Sequence, residues 1–93
     1  MGYGILNPKF PLGQVVATPA VISLGIDLFP YLRRHHCGDW GDALGEEDRD
    51  ANDAALTDGS RILSCYQVGA GRRIYIITEW DRSLTTVLLP EEY

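Results

Sequence analysis

A single change of hydrophobic period, at Asp58-Gly59, constrains this chain more than any other feature of it. Beyond that point Arg61 to Val68, Arg72 to Trp80 and Leu84 to Leu89 are dense in Ile, Val, Leu, Tyr and Thr, the side chains that suit a pleated, half-buried surface. Three consecutive strands are predicted. The intervening Gly69-Ala70-Gly71 and Asp81-Arg82-Ser83 are too short for a crossover, so each must turn the chain straight back into an antiparallel neighbour. Ile62, Ile74, Ile76, Val87 and Leu88 are the expected buried side chains of this sheet.

Upstream of Asp58 the pattern is helical and heavily punctuated. Thr18-Pro19 reads as an N-cap followed by proline at the first helical position, predicting a short helix to about Leu24. Gly25 suits a left-handed cap, and Asp27 can cap a second helix from near Leu28 to near His36, with Pro30 tolerated in its first turn. Glu46 to Leu56 holds good helix formers and predicts a third helix, with Leu44, Ala51 and Ala55 on its inner side. Gln14-Val15-Val16-Ala17 is β-branched enough for an edge strand that extends the sheet. Residues 1–13, with Gly2, Gly4, Pro8, Pro11 and Gly13, read as an irregular arm packed through Tyr3, Ile5, Leu6 and Phe10. A chain of 93 residues holds one core. The expected fold is therefore one α+β domain, short N-terminal helices followed by a three- to four-stranded antiparallel meander, with the helices on one face. Tyr75 and Ile77 then oppose Ile74 and Ile76 across the sheet, leaving an apolar face that a homodimer is expected to cover.

Charge limits the partners. The formal net charge is −5, and the stretch from Asp39 to Asp53 alone sets seven carboxylates (Asp39, Asp42, Glu46, Glu47, Asp48, Asp50 and Asp53) against Arg49. Cationic side chains cluster only at Arg33-Arg34 and Arg72-Arg73, which disfavours direct nucleic-acid binding. The acidic run is either a solvated helix face or a surface that meets a basic partner as a phosphate backbone would. No apolar run reaches the roughly 18 residues of a membrane span, and the first residues lack the basic-then-apolar plan of a signal peptide. A cytoplasmic protein without a membrane partner is expected. Cys37 and Cys65 are too few for a disulfide framework and read as reduced packing residues.

Two strings are distinctive: Arg34-His35-x-x-Gly38-Asp39-Trp40-Gly41, and Ile77-Thr78-Glu79-x-Asp81-Arg82-Ser83-x-Thr85-Thr86-x-Leu88-Leu89-Pro90-Glu91-Glu92-Tyr93. In them the chain resembles a family of small proteins encoded on bacterial plasmids, integrative elements and prophages, and Thr18-Pro19 and the strand from Arg61 to Tyr66 extend the likeness over most of the chain after Gln14. The resemblance implies a mobile-element setting. It implies no established activity, so it assigns no catalytic residue.

Several residues carry chemistry. Leu28, Leu32 and His35 follow helical spacing, which sets His35 at the end of an apolar face. It is either a histidine bonded to neighbouring polar groups or a general base, since an unperturbed imidazole titrates near neutrality. Ser64 and Tyr66 share a strand face with Ile62, and Thr86 shares one with Leu84 and Leu88, so hydroxyls interrupt apolar faces beneath that helix end. Arg82 either pins its own hairpin beside Asp81 or reaches the Asp39 region, joining Arg34, His35, Asp39, Trp40, Asp81 and Arg82 into one polar network. Trp40 and Trp80 either close the core or anchor a partner. Asp48-x-Asp50-x-Asn52 imitates the start of a calcium loop, but Asp53 stands where the turn needs Gly and Gly59 where a bidentate Glu belongs. No metal site follows from the His and Cys spacing, and no cofactor fingerprint is present.

Two functions fit these features. The first is stoichiometric: an acidic mobile-element accessory protein that binds a host protein, a nuclease with a basic surface, and inhibits a restriction-type or CRISPR-type defence. Its contact residues would be Asp39, Trp40, Asp42, Glu46, Glu47, Asp50 and Asp53. The second is a metal-independent ribonuclease of barnase-like or RelE-like architecture, with His35 as base and Arg34 or Arg82 steadying the phosphate.

Overall fold

A computed structural model describes residues 8–93. The sheet has four strands in the order β1-β4-β3-β2, with β1 at Gln14–Ala17, β2 at Ile62–Gly69, β3 at Arg72–Thr78 and β4 at Leu84–Leu88. The β2–β3 and β3–β4 pairs are antiparallel hairpins, as the turn lengths require. Three helices lie between β1 and β2: α1 (Pro19–Ile22), α2 (Phe29–His36) and α3 (Glu46–Asp58); a 3-10 turn, Pro90–Glu92, ends the chain. The chain is thus α+β, but the sheet is mixed and a strand precedes the helices.

The departure is at β1, which runs parallel to β4 with Val15 opposite Thr85 and Ala17 opposite Val87. The arm before it explains the direction. The Lys9 amide bonds the His36 carbonyl, Phe10 is buried, and the Leu12 carbonyl accepts the Thr85 hydroxyl, so the chain arrives where β4 begins. Gln14 N–H then bonds the Ser83 carbonyl. Gly13 adopts φ 65° there, and a Cβ on it would overlap the Ser83 backbone. Tyr3, Ile5 and Leu6, the other expected anchors of the arm, lie outside the described residues.

Helix boundaries follow local chemistry. The Thr18 hydroxyl accepts the Val21 amide with Pro19 at the first position, and Asp27 Oδ1 accepts the Phe29 amide at 3.0 Å. Gly25 and Gly59 take left-handed conformations behind α1 and α3. Ala51 is exposed, contrary to the expected inner face of α3, because Asn52 and Ala55 point inward and Leu44 is buried ahead of the helix.

Pairing register sorts the side chains. Ile62, Ser64, Tyr66, Ile74, Ile76, Thr78, Thr85 and Val87 share one face, covered by α1, α2 and the arm. Ile62, Ile74, Ile76 and Val87 are fully buried, as expected, and Leu88 nearly so. On the opposite face Tyr93 packs edge-on to Tyr75, and Ile77 and Leu88 are only 5% and 9% exposed in the single chain. These two residues therefore need no second copy to cover them.

Helix α3 straddles the outer edge of β2, with Ala55 packed in one cluster with Ile62 and Cys65. Asn52 extends the ladder there: its Nδ2 donates to the Leu63 carbonyl and its Oδ1 accepts the Leu63 amide. The Cys65 amide bonds the Trp40 carbonyl one step further on. The first half of this edge is thus capped by the chain's own groups.

Candidate functional site

The two distinctive strings meet at His35. Helix α2 carries Leu28, Tyr31 and Leu32 against the sheet, and the same spacing drives His35 onto the face bearing Ser64, Thr78 and Thr85. Its Nδ1 lies 2.6 Å from Ser64 Oγ and its Nε2 2.8 Å from Thr78 Oγ1, which is 2.7 Å from Thr85 Oγ1. Thr85 in turn donates to the Leu12 carbonyl at 2.7 Å.

The direction of every proton follows from that last bond. A hydroxyl has one proton, so Thr85, having spent its own on Leu12, must accept from Thr78. Thr78 then accepts from His35 Nε2–H, and Nδ1 is left to accept the Ser64 hydroxyl proton. The imidazole is neutral, in its Nε2–H form, with both nitrogens occupied. Burial, with the nearby charges of His36 and Arg82, lowers its pKa from 6.5 to about 3.

A serine hydroxyl donating to a neutral imidazole is the first half of a nucleophilic dyad. Here it faces no solvent. His35 and Ser64 are both 0% exposed, with Phe10 edge-on to the imidazole at 5.1 Å and Trp40 at 6.0 Å. The hydroxyl-bearing sheet face beneath the helix end exists as expected with Ser64 on it, and Thr78 and Thr85 complete it; Thr86 belongs to the other face.

The remaining members divide. Arg34 Nε donates to Asp39 Oδ2 at 2.7 Å while its guanidinium lies 4.7 Å from the Tyr66 ring centroid, and this pairing holds the Asp39 carboxyl below the usual range. The Tyr66 hydroxyl donates to the Asp39 carbonyl, and burial pushes its pKa up. Arg82 does not bond Asp39. It donates to the carbonyls of Ala55, Ser60 and Glu79 and lies 5.7 Å from the Phe10 ring centroid, so it ties the last hairpin to the end of α3. Asp81 stands apart, accepting only from Ser83, in an exposed turn.

Trp40 is buried and donates from Nε1 to Asp53 Oδ1 at 3.0 Å, so it closes the core and cannot anchor a partner from the surface. Trp80 is the exposed tryptophan, at 70%. Of the acidic residues, Asp39 and Asp53 are engaged within the chain, whereas Asp42, Glu46, Glu47, Asp48 and Asp50 are exposed. Glu46, Glu47 and Asp48 occupy the first turn of α3, where carboxylates oppose the positive end of the helix dipole. Arg49 braces that turn by donating to the carbonyls of Gly41 and Leu44. Asn52, third in the calcium-like triplet, faces β2 instead of any loop. Among the described residues no group of three His, Cys, Asp or Glu side chains can hold a metal ion, both cysteines are free, and no helix is long and apolar enough to cross a membrane.

Sequence reasoning missed Asn52 and the Thr78–Thr85 pair. The pair was open to derivation, because the second turn places residue 78 opposite residue 85. No family model, curated protein or solved structure matches the chain.

Proposed function

We propose that the protein works by binding: a small acidic accessory protein whose α3 face occupies the basic, nucleic-acid-binding surface of a host defence nuclease of restriction or RNA-guided type. The observation that carries this reading is the contrast between its two polar centres. The His35 group is saturated and closed to solvent, while Asp42, Glu46, Glu47 and Asp50 stand exposed on a turn and helix braced by Arg49 and Asn52. A rigid anionic row loses little side-chain and backbone entropy on meeting a cationic groove, and it raises the association rate. The resemblance to mobile-element proteins supplies the setting, a bacterial cytoplasm with a defence to disable.

The test is a pull-down from bacterial lysate beside an RNA-cleavage assay. The expected result is a stable complex with a nuclease, lost when Glu46, Glu47 and Asp50 are all changed to Lys, and no cleavage of RNA. Cleavage that disappears in a folded His35→Gln variant, with no partner retained, would overturn the reading in favour of a ribonuclease.

A further inference from the structure

The two edges of the sheet are treated differently. At β2 the outward amide and carbonyl of Leu63 are bonded by Asn52, and the Cys65 amide by the Trp40 carbonyl. At β1 the amides of Gln14 and Thr18 bond the carbonyls of Ser83, just ahead of β4, and Val87 on it, so strand alternation turns the N–H and C=O groups of Val15 and Ala17 outward. Among the described residues nothing pairs with them. Edge strands are usually blunted by charge, proline or a bulge, and Gln14-Val15-Val16-Ala17 contains none of these.

Beside this edge runs an apolar groove of about 370 Å³, walled by Leu12 and Val15 from the strand side and by Phe29, Leu32, Arg33 and His36 from α2. Phe29 is 61% exposed and Val15 43%, and Val16 and Ile22 add further exposed apolar side chains on β1 and on α1 immediately after it. Charge selects the occupant. Arg33 lies 5.8 Å from the Phe29 ring centroid and has no carboxylate partner among the described residues, and no acid lines the groove. A second copy of β1 brings no carboxylate to this position.

We propose that the β1 edge and the α2 groove form a docking site for an extended segment of a partner protein, which adds as a fifth strand, places an apolar side chain against Phe29 and Leu32, and offers a carboxylate to Arg33. Backbone bonds to Val15 and Ala17 fix the strand, and alternate side chains read the groove. An apolar residue and an Asp or Glu two positions away point to the same side of such a strand. The site stands apart from the proposed acidic surface, which lies at the opposite edge of the sheet.

The probe is a phage-displayed random octapeptide library selected on the wild-type protein and on Arg33→Glu and Phe29→Ala, both exposed positions whose folding is checked by circular dichroism. Selected peptides should share an apolar residue and a carboxylate two positions apart, and bind Arg33→Glu about tenfold or more weakly. On binding, amide shifts should centre on Val15 and Ala17. No enrichment, peptides without a carboxylate, or binding to the variants as tight as to the wild type would overturn the proposal. So would a concentration-dependent dimer in sedimentation that is abolished by Val15→Lys while no peptide binds, since the edge would then belong to a second copy.

Discussion

His35 makes a pH-dependent contribution whose sign is fixed by its burial. The folded chain keeps the imidazole neutral down to about pH 3, whereas the unfolded chain takes up its proton near 6.5. Between those values the unfolded state holds the extra proton, so stability falls as pH falls, by at most about 1.4 kcal/mol per pH unit from this one group. Urea midpoints should therefore drop between pH 6.5 and 4.5, above the range in which the paired Asp39 carboxyl titrates. In His35→Gln, whose amide can accept from Ser64 and donate to Thr78, that drop should shrink. A slope unchanged in the variant would show that other groups set it. His35→Ala should cost about 3–5 kcal/mol at pH 7, because it opens a cavity, leaves the buried Ser64 hydroxyl without its acceptor and takes from Thr78 the donor it accepts from. The position of His35 was legible from helical spacing, but its sealing was not. Closure depends on Phe10, delivered by an arm with no periodicity, and on Trp40, whose burial turns on a bond to Asp53 13 residues away.

Elements join through side chains that replace backbone. Asn52 acts as one more rung on β2, and its loss would leave the Leu63 amide and carbonyl facing α3 unpaired. Asn52→Ala should destabilise by about 2–3 kcal/mol in urea unfolding, and exchange at the Leu63 amide should quicken before that of β3. Arg82 plays a matching part. It holds φ 59°, a conformation costly for a residue with a Cβ; its bond to the Glu79 carbonyl braces the turn, and its bonds to the Ala55 and Ser60 carbonyls hold the hairpin to the end of α3. Arg82→Ala should lower stability by about 2–3 kcal/mol, and a loss under 0.5 kcal/mol would mean the contacts offset only their own desolvation. Element types were legible because caps, prolines and the period change are local signals. The direction of β1 was not. Four residues carry no directional mark, and the outcome rests on where Phe10, Leu12 and Gly13 deliver the chain relative to β4.

At the scale of the molecule, β1 joins the two ends of the chain. The Thr85–Leu12 and Thr18–Glu92 bonds link residues 73 and 74 positions apart, whereas β2 and β3 close through a tight turn. Loop-closure entropy opposes the distant pairing and hardly touches the hairpin, so the meander should form first and β1 should be the last strand to dock and the first to leave. Gly13→Ala probes this step, since the added methyl meets the Ser83 backbone at a left-handed position of the arm, against the turn before β4 but away from the paired residues of β2, β3 and β4. In native-state hydrogen exchange the variant should lose protection at Val16 and Thr18, whose amides face β4, while the central amides of β3 keep theirs. Equal loss across all four strands would show instead that the arm and β1 belong to the same cooperative unit as the meander, and that the fold is reached only when both ends of the chain have met.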